Sequence, residues 1–481
     1  MKKIILSILS VTILLSVTSC NTDFETDVAD IKTTNGDADF STYVALGNSL
    51  TSGYRDGALY RDGQIESYPN IIAQQMQKAG GGSFTQPLTP DNIGGFTNLP
   101  GFRGKLTLQV VNGTLSPVPS TPTVVLDKLT ETYNNMGVPG AKSFHLITPN
   151  YGNLSGVSQG TANPYFARFA SSPTTSVLQD AIAKKPTFFT LWIGNNDILS
   201  YASSGGIGTD QTGNIKPTTY SSNDITDPNV LVASIKTILD GMKSIGAKGV
   251  IANIPNVTSI PFFTTVPAKP LTSLTEAQIN ALNTAYSQYN SALLKVKSLG
   301  LISDSEYQSR LISFSANKAN GVVIIDKDLT DLSAHKIPSY RQTTNKDFIL
   351  LTSLSTIKAG GGTQTPLTDA QVLTEKEAKK VQTATNTYNT QIQSLANAYN
   401  LAFVDANAKM IELGRTSGIQ YNGVSYTANF ITGGVFSLDG VHMTGKGYAI
   451  IANEFIKAIN SKYNSTLPQV NPNHYSGITF P

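Results

Sequence analysis

The chain has 481 residues, of which 14% are charged and 40% are hydrophobic, and its formal net charge is +3 at pH 7. A chain this close to neutral offers no basic surface for nucleic acid, so we expect no nucleic-acid partner. It contains 1 cysteine, Cys20, and 4 scattered histidines without paired ligand spacing. These features exclude a disulfide framework and a cysteine-based metal site, and they argue against a structural zinc.

The N-terminal segment has the pattern of an export signal followed by a lipid attachment site. An apolar run from Ile4 to Val17 follows two lysines and is too short and too rich in Ser and Thr for a membrane span. Residues 17–20 (VTSC) resemble the bacterial lipobox, whose cysteine receives lipid. We therefore expect a lipoprotein signal peptide over residues 1–19 and a lipid anchor at Cys20. An unmodified signal peptide with a chance cysteine is the alternative.

The anchor predicts a location in the cell envelope, at the outer membrane and on either its periplasmic or its cell-surface face. Residues 20–40 are polar and acidic, which favours a flexible tether. One large domain is expected over residues 41–465, with a C-terminal tail over residues 466–481. The sequence does not indicate an oligomeric state.

Four short apolar runs follow the tether and predict strands. Continuous apolar runs are typical of parallel strands that are covered on both faces. Helical patterns lie between them, including one that opens with a cap at Asp227 and one with a capping box from Thr374 to Glu377. The alternation predicts an α/β fold, a three-layer α/β/α sandwich with a parallel sheet. The predicted strands are residues 43–46, 188–193, 250–254 and 401–404.

Two stretches interrupt this alternation and are predicted to be insertions. Residues 80–130 are rich in Gly, Pro and Thr, with a hairpin expected around residues 106–111. Residues 262–372 contain one strong helical pattern, over residues 275–296. Loops at the edge of an α/β sheet carry function, so we expect both insertions to shape access to a site there.

Two motifs at the ends of the chain carry the residue types of nucleophilic catalysis. Residues 47–50 (GNSL) follow the first predicted strand, which places Ser49 at the edge where ligands of open α/β sheets bind. Residues 439–442 (DGVH) put Asp439 three positions before His442, close enough to orient its imidazole. Ser, His and Asp are the side chains of a nucleophile, a general base and an orienting carboxylate. Taken singly, the first motif is more often a helix cap than a nucleophile, and the second could be a turn that leads into a helix.

Two further motifs between them supply groups that can stabilise a developing negative charge. Residues 135–140 (NMGVPG) hold glycines whose backbone can approach a ligand and donate N–H groups. Residues 194–197 (GNND) place an amide side chain, Asn196, at the end of another predicted strand. An ordinary turn and an Asx-turn are the alternatives. The order of all four motifs, each at a strand end or a turn, favours one acyl-transfer site.

The four motifs resemble the conserved blocks of the SGNH/GDSL-type serine hydrolases, over about residues 41–462. The resemblance implies a flavodoxin-like SGNH-hydrolase fold, with catalytic Ser49, His442 and Asp439 and no cofactor. It also implies an oxyanion hole formed by the backbone N–H groups of Ser49 and Gly137 and by the side chain of Asn196. One position departs from the family, which usually has Asp where this chain has Asn48. Asparagine keeps the shape and the acceptor oxygen but loses the charge.

The function expected from this resemblance is that of an extracytoplasmic serine esterase or lipase. It would hydrolyse carboxylic esters through an acyl-enzyme on Ser49, with either lipid acyl esters or acetylated glycans as substrates. A carbohydrate acetyl esterase and a non-catalytic surface ligand-binding lipoprotein with a weakened site remain alternatives. Residues 156–160 (GVSQG) also match the GxSxG elbow of α/β-hydrolases, but their flanks have loop composition, so Ser49 is favoured over Ser158.

Overall fold

The computed structural model describes residues 32–481. The predicted signal peptide and the predicted lipid attachment site at Cys20 lie outside these residues. None of the helices within residues 32–481 combines the length and the apolar character needed to cross a membrane.

The strands and helices of the described chain alternate over most of its length. The strands are β1 (Tyr43–Gly47), β2 (Leu106–Val111), β3 (Thr114–Pro119), β4 (Asn135–Gly137), β5 (Phe188–Trp192), β6 (Lys248–Ala252), β7 (Val323–Ile325), β8 (Tyr340–Gln342), β9 (Phe348–Ile349), β10 (Val372–Leu373), β11 (Ala402–Val404), β12 (Ile419–Tyr421) and β13 (Val424–Tyr426). The helices are α1 (Ser49–Ser52), α2 (Arg61–Ile65), α3 (Tyr68–Lys78), α4 (Pro164–Ala167), α5 (Val177–Ala183), α6 (Asn196–Ser203), α7 (Pro228–Ser244), α8 (Pro261–Thr264), α9 (Glu276–Ser298), α10 (Asp304–Arg310), α11 (Leu354–Lys358), α12 (Glu375–Ala398), α13 (Ala406–Leu413) and α14 (Gly445–Tyr463).

The central sheet of the described chain has five strands in the order β11-β6-β5-β1-β4, and all neighbours are parallel. Counted by chain position within the sheet, this is the 2-1-3-4-5 order of a doubly wound fold, with the switch point between β1 and β5. Helices α3 and α14 pack on one face, and α5, α7 and α12 pack on the other. The predicted three-layer α/β/α sandwich with a parallel sheet is confirmed.

The local sequence explains why these elements form. All five residues of β1 are buried, as expected for a strand covered on both faces. Asp227 accepts the N–H of Asn229 over 2.8 Å and caps α7, which begins with Pro228. The short strand β4 was not predicted, because it has only three residues and begins with a polar one, Asn135. It is held by pairing with β1, a long-range contact that no local pattern shows.

The packed domain extends beyond both predicted boundaries. Ala38 and Phe40, expected in the tether, are 3% and 2% exposed and belong to the main core. Leu467, expected in the tail, is 2% exposed in the same core. The Thr34 N–H also donates to the Thr466 hydroxyl over 2.8 Å. These apolar residues stand singly among polar ones, so the composition of the two segments did not indicate their packing.

Both predicted insertions contact loops at the carboxyl edge of the central sheet, the edge at which β1 ends. The first contains the expected hairpin, formed by β2 and β3, and the N–H of Leu106 donates to the carbonyl of Asp56 over 2.7 Å. The second has small hydrophobic clusters of its own, separate from the main core. At its start, the Phe262 N–H donates to the carbonyl of Gly440 over 2.9 Å. Each insertion thus borders a loop that carries residues of the candidate site.

Candidate active site

Ser49 is the first residue of α1 and follows β1 after a single intervening residue, at the switch point of the sheet. The side chain of that residue, Asn48, accepts the N–H of Leu50 over 3.0 Å and caps the helix. The helix is one turn long and ends at Gly53, whose φ of 82° requires the conformational freedom of glycine. Ser49 is 7% exposed, and its hydroxyl is directed at His442.

The hydroxyl of Ser49, the imidazole of His442 and the carboxylate of Asp439 form one hydrogen-bonded chain. Nε2 of His442 lies 2.9 Å from Oγ of Ser49, which is 393 residues away in the sequence. Nδ1 of His442 lies 2.9 Å from Oδ2 of Asp439. Burial by itself would raise the pKa of Asp439, but the neighbouring His442 and the hydrogen bonds to the carboxylate lower it well below its usual range. The ionised carboxylate accepts Nδ1–H, which leaves the lone pair of Nε2 facing Ser49.

A tight turn after α1 fixes the position of Asp439. In this turn Asp56 and Gly57 have φ angles of 53° and 74°, and the N–H of Gly57 donates to Oδ2 of Asp439 over 2.9 Å. The carboxylate of Asp56 accepts the N–H of Leu438 over 3.0 Å. The backbone N–H of Asp56 donates to the hydroxyl of Ser437 over 2.9 Å. The sequence analysis missed this turn, although an Asp-Gly pair is typical of tight turns with positive φ.

Asn196 is the first residue of α6, in the fourth position after the last residue of β5, and is 8% exposed. One N–H of its amide donates to the carbonyl of Ala141 over 2.9 Å, and the side chain lines the same pocket as Ser49 and His442. A primary amide has two N–H donors, so one remains for a ligand. Its neighbour Asp197 is fully buried and accepts the N–H and the hydroxyl of Ser143 over 2.8 and 2.7 Å. These bonds join the motif at residues 194–197 to the segment that follows the motif at residues 135–140.

The structure does not place Gly137 as an oxyanion donor. Its N–H already donates to the side-chain oxygen of Asn135 over 2.9 Å. A Cβ at this position would lie 2.3 Å from the backbone nitrogen of Ser52, so Gly137 allows α1 to pack closely on β4. The expected role is corrected accordingly: this glycine serves a close backbone approach.

Gly140, the last residue of the same motif, is better placed. It is exposed, has a φ of 81°, and precedes Ala141, the residue whose carbonyl binds Asn196. Within residues 32–481, its N–H has no hydrogen-bond acceptor. Both glycines belong to the quoted motif, so the sequence offered Gly140 as readily as Gly137. Only the pairing of β4 with β1 distinguishes them.

Asn48, the position that departs from the family, is 1% exposed and makes two hydrogen bonds. Besides capping α1, it donates from Nδ2 to the side-chain oxygen of Asn195 over 3.2 Å. It therefore links the loop after β1 to the loop after β5. The competing Ser158 is exposed in a loop, two residues after a 3-10 turn (Leu154–Gly156), and no strand leads into it.

Within residues 32–481, no group of three or more His, Cys, Asp or Glu side chains is arranged to hold a metal ion. What the geometry offers is a hydroxyl, an imidazole and a carboxylate in one chain, at the switch point of a doubly wound sheet. This is the site of a serine hydrolase.

The comparison with protein families gives the particular class. Residues 335–455 match the family model of the GDSL-like lipases/acylhydrolases, and the matched segment contains Asp439 and His442. This match covers about a quarter of the chain and, together with the hydrogen-bonded Ser49, His442 and Asp439, assigns a GDSL-like hydrolase domain that acts on ester bonds. No curated protein matches its sequence.

Solved structures of two esterases are distantly similar. An acetylxylan esterase from Geobacillus stearothermophilus is 10% identical, with a TM-score of 0.32, over 88% of this chain and 96% of that chain. An extracellular lipase from Streptomyces rimosus is 12% identical, with a TM-score of 0.31, over 88% of this chain and 99% of that chain. At these scores the sheet order and the site geometry of the chain itself carry the assignment.

Proposed function

We propose that the chain hydrolyses carboxylic esters outside the cytoplasm through an acyl-enzyme on Ser49. The observation that carries this proposal is the hydrogen-bonded chain from Asp439 through His442 to Ser49, with both distances at 2.9 Å. This arrangement can activate a serine hydroxyl that would otherwise be a weak nucleophile.

In the proposed reaction, Oγ of Ser49 attacks the ester carbonyl carbon while Nε2 of His442 takes the hydroxyl proton. The carbonyl electrons move onto the oxygen and give a tetrahedral oxyanion. When this intermediate collapses, the bond to the alcohol oxygen breaks, and His442 returns the proton to the leaving alcohol. Water then attacks the acyl-enzyme with the same base, which releases the carboxylic acid and restores Ser49. Asp439 stays ionised and stabilises the imidazolium.

Three donors are available for the oxyanion. The N–H of Ser49 is the first of α1 and has no acceptor within residues 32–481. The N–H of Gly140 and the second amide N–H of Asn196 complete the set. A single donor of this kind typically contributes about 10²–10³ to turnover.

The extracytoplasmic location is supported by the sequence of residues 1–20 alone. Lipid on Cys20 would hold the chain at a bilayer, at about 0.8 kcal/mol for each buried CH₂. Labelling of cells with radioactive palmitate tests this, because the wild-type chain should carry label in the membrane fraction and Cys20→Ser should not. Label that persists in Cys20→Ser would contradict the anchor.

A serine-reactive fluorophosphonate probe tests the catalytic role of Ser49. The wild-type chain should be labelled at Ser49, and Ser49→Ala should lose both the label and the hydrolysis of a short acyl ester. Ser158→Ala is the matched control and should keep both. A wild-type chain that binds esters but neither reacts nor hydrolyses them would instead be the non-catalytic ligand-binding lipoprotein.

A further inference from the structure

A narrow pocket opens at Ser49, with a cavity volume of about 80 Å³. Ser49, His442 and Asn196 lie on its wall, and most of the remaining wall is aliphatic or methionine. Many of these apolar side chains come from α13, from α14 and from the segment between β6 and α8. They include Val257, Ile260, Met410, Leu413, Ile450 and Ile451.

Most of the other polar side chains of this wall are already engaged, whereas the amide N–H groups of Asn195 have no acceptor within residues 32–481. Asn48 donates to Asn195 over 3.2 Å, and Nε1 of Trp192 donates to the carbonyl of Asn253 over 3.0 Å. Lys409 pairs with Glu412 over 2.7 Å and with Glu454 over 3.3 Å. The described wall therefore offers few free groups for the hydroxyls of a sugar, whose burial without hydrogen bonds is costly.

The pocket follows α14 away from the catalytic histidine. Gly447, Ile450 and Ile451 line it from one face of the helix and span about 6 Å along its axis. Glu454 lies about one turn further, where its ion pair with Lys409 joins α14 to α13. An apolar space whose wall ends at a charged pair, Lys409 with Glu454, fits an unbranched hydrocarbon chain of limited length.

Outside this pocket, the imidazole ring of His442 contacts an aromatic side chain. The Tyr54 ring lies 4.7 Å from the imidazole ring, between centroids, and is not part of the pocket wall. Tyr165 packs edge-on against Tyr54 at 6.1 Å. A leaving alcohol that takes its proton from Nε2 has this aromatic side available, which leaves the apolar pocket for the acyl group.

We propose that this pocket binds the acyl chain of the substrate, so that esters of unbranched medium-chain fatty acids are preferred over acetylated glycans. The proposal rests on the proposed function, since it assigns the acyl group that Ser49 would carry. An acetyl group on Ser49 would reach only the near part of a lining that spans about 6 Å along α14. Each further methylene that enters it gains about fourfold in transition-state binding, until the chain reaches Lys409 and Glu454.

A series of p-nitrophenyl esters tests the preference, using acetate, butyrate, hexanoate, octanoate and palmitate with the full exported chain. We expect kcat/KM to rise from acetate through the middle of the series and to fall at palmitate, with acetylated xylooligosaccharides as poor substrates. A series of acetate esters with longer alcohols should show no comparable rise. Fastest hydrolysis of acetate, or dependence on the alcohol instead of the acyl chain, would overturn the inference while leaving esterase activity intact. Failure to hydrolyse any ester would refute the proposed function itself.

Variants of α13 test the pocket directly. Ala406 is buried and lines the pocket, so Ala406→Phe should lower the octanoate-to-acetate ratio of kcat/KM at least tenfold. Ala408→Phe is the matched control on the exposed face of the same helix and should leave the ratio unchanged. Lys409→Ala should move the optimum toward longer chains, because it opens the far end. If Ala406→Phe fails to fold, Lys409→Ala becomes the deciding test of the acyl pocket. An unaltered chain-length profile in Lys409→Ala would contradict the proposal.

Discussion

Gly57 donates its backbone N–H over 2.9 Å to Oδ2 of Asp439, the oxygen that also accepts Nδ1–H of His442. The other oxygen of this carboxylate accepts the N–H groups of Val441 and His442, over 2.9 and 2.8 Å, and the hydroxyl of Ser437 over 3.1 Å. Both oxygens are thus surrounded by donors, so that the position and the charge of the carboxylate are fixed before any substrate binds.

Asp439→Asn should be severely impaired. The NH₂ group of the asparagine would replace one carboxylate oxygen and would face the N–H donors that this oxygen accepts. If it faced His442, it would favour the tautomer of His442 that lacks the proton on Nδ1. Loss of the equivalent interaction in serine proteases costs about 10⁴ in turnover, and we expect a loss of about 10³–10⁴ in kcat here. Steady-state hydrolysis of a short acyl ester measures it, with Asp240→Asn, on the exposed face of α7, as the control. Activity within about tenfold of wild type would contradict the orienting role.

The pH dependence of stability follows from the lowered pKa of Asp439. In the unfolded chain this carboxyl takes up a proton at its ordinary pKa, whereas in the folded chain it does so only at lower pH. Its contribution to the free energy of unfolding is therefore full at neutral pH and is lost as the pH falls below the ordinary value. Urea unfolding of wild type and Asp439→Asn, from about pH 7 to about pH 3, should show a difference that shrinks with acidity. A difference that stays constant would contradict this assignment.

The two glycines of the second motif should respond differently to alanine. Gly137→Ala places a Cβ 2.3 Å from a backbone atom of Ser52, and we expect a loss of about 2–3 kcal/mol in the free energy of unfolding. Gly140→Ala has space, with its nearest neighbour at 3.9 Å, and should lose about 1–2 kcal/mol from its positive φ. Thermal unfolding measures both, with Gly414→Ala as a nearly neutral control. Equal stability of Gly137→Ala and wild type would refute the close packing of α1 on β4.

Asn196→Ala should lower kcat by about 10²–10³ and change KM little, because the amide would act on the oxyanion more than on the bound ester. The same ester assay measures both constants. Asn386→Ala removes an exposed amide from α12 and serves as the control. A change confined to KM would indicate that Asn196 binds the ground state instead.

Asn48→Asp restores the residue usual in the family and should change activity little. The carboxylate still caps α1, and the amide of Asn195 can rotate to donate to it. Asn48→Ala removes the cap and should lose about 1 kcal/mol of stability. Chemical denaturation and the ester assay measure the two effects. A large loss of activity in Asn48→Asp would show that the donor at this position matters more than the cap.

The sequence predicted the parts of the molecule that depend on local chemistry. Apolar runs predicted four of the five strands of the central sheet, and polar residues at strand ends placed Ser49 and Asn196 at one edge, because parallel strands share a carboxyl edge. The remaining features depend on long-range contacts. The choice between Gly137 and Gly140 is decided by the pairing of β4 with β1, which leaves no trace in a motif where both residues are glycine. The turn at Asp56 and Gly57 was visible as a dipeptide, but its partner Asp439 lies 382 residues away.

The hydrogen bond from Phe262 to Gly440 joins the second insertion to the backbone between Asp439 and His442. The insertion contributes Phe263 and Leu350 to the main core, but its other hydrophobic residues form clusters of their own, so its outer part can loosen without the central sheet unfolding. Destabilising substitutions inside the second insertion, at positions remote from any substrate, would then first misalign the imidazole of His442. Only stronger destabilisation would unfold the central sheet. A survey of this enzyme by activity alone would mistake such positions for catalytic ones.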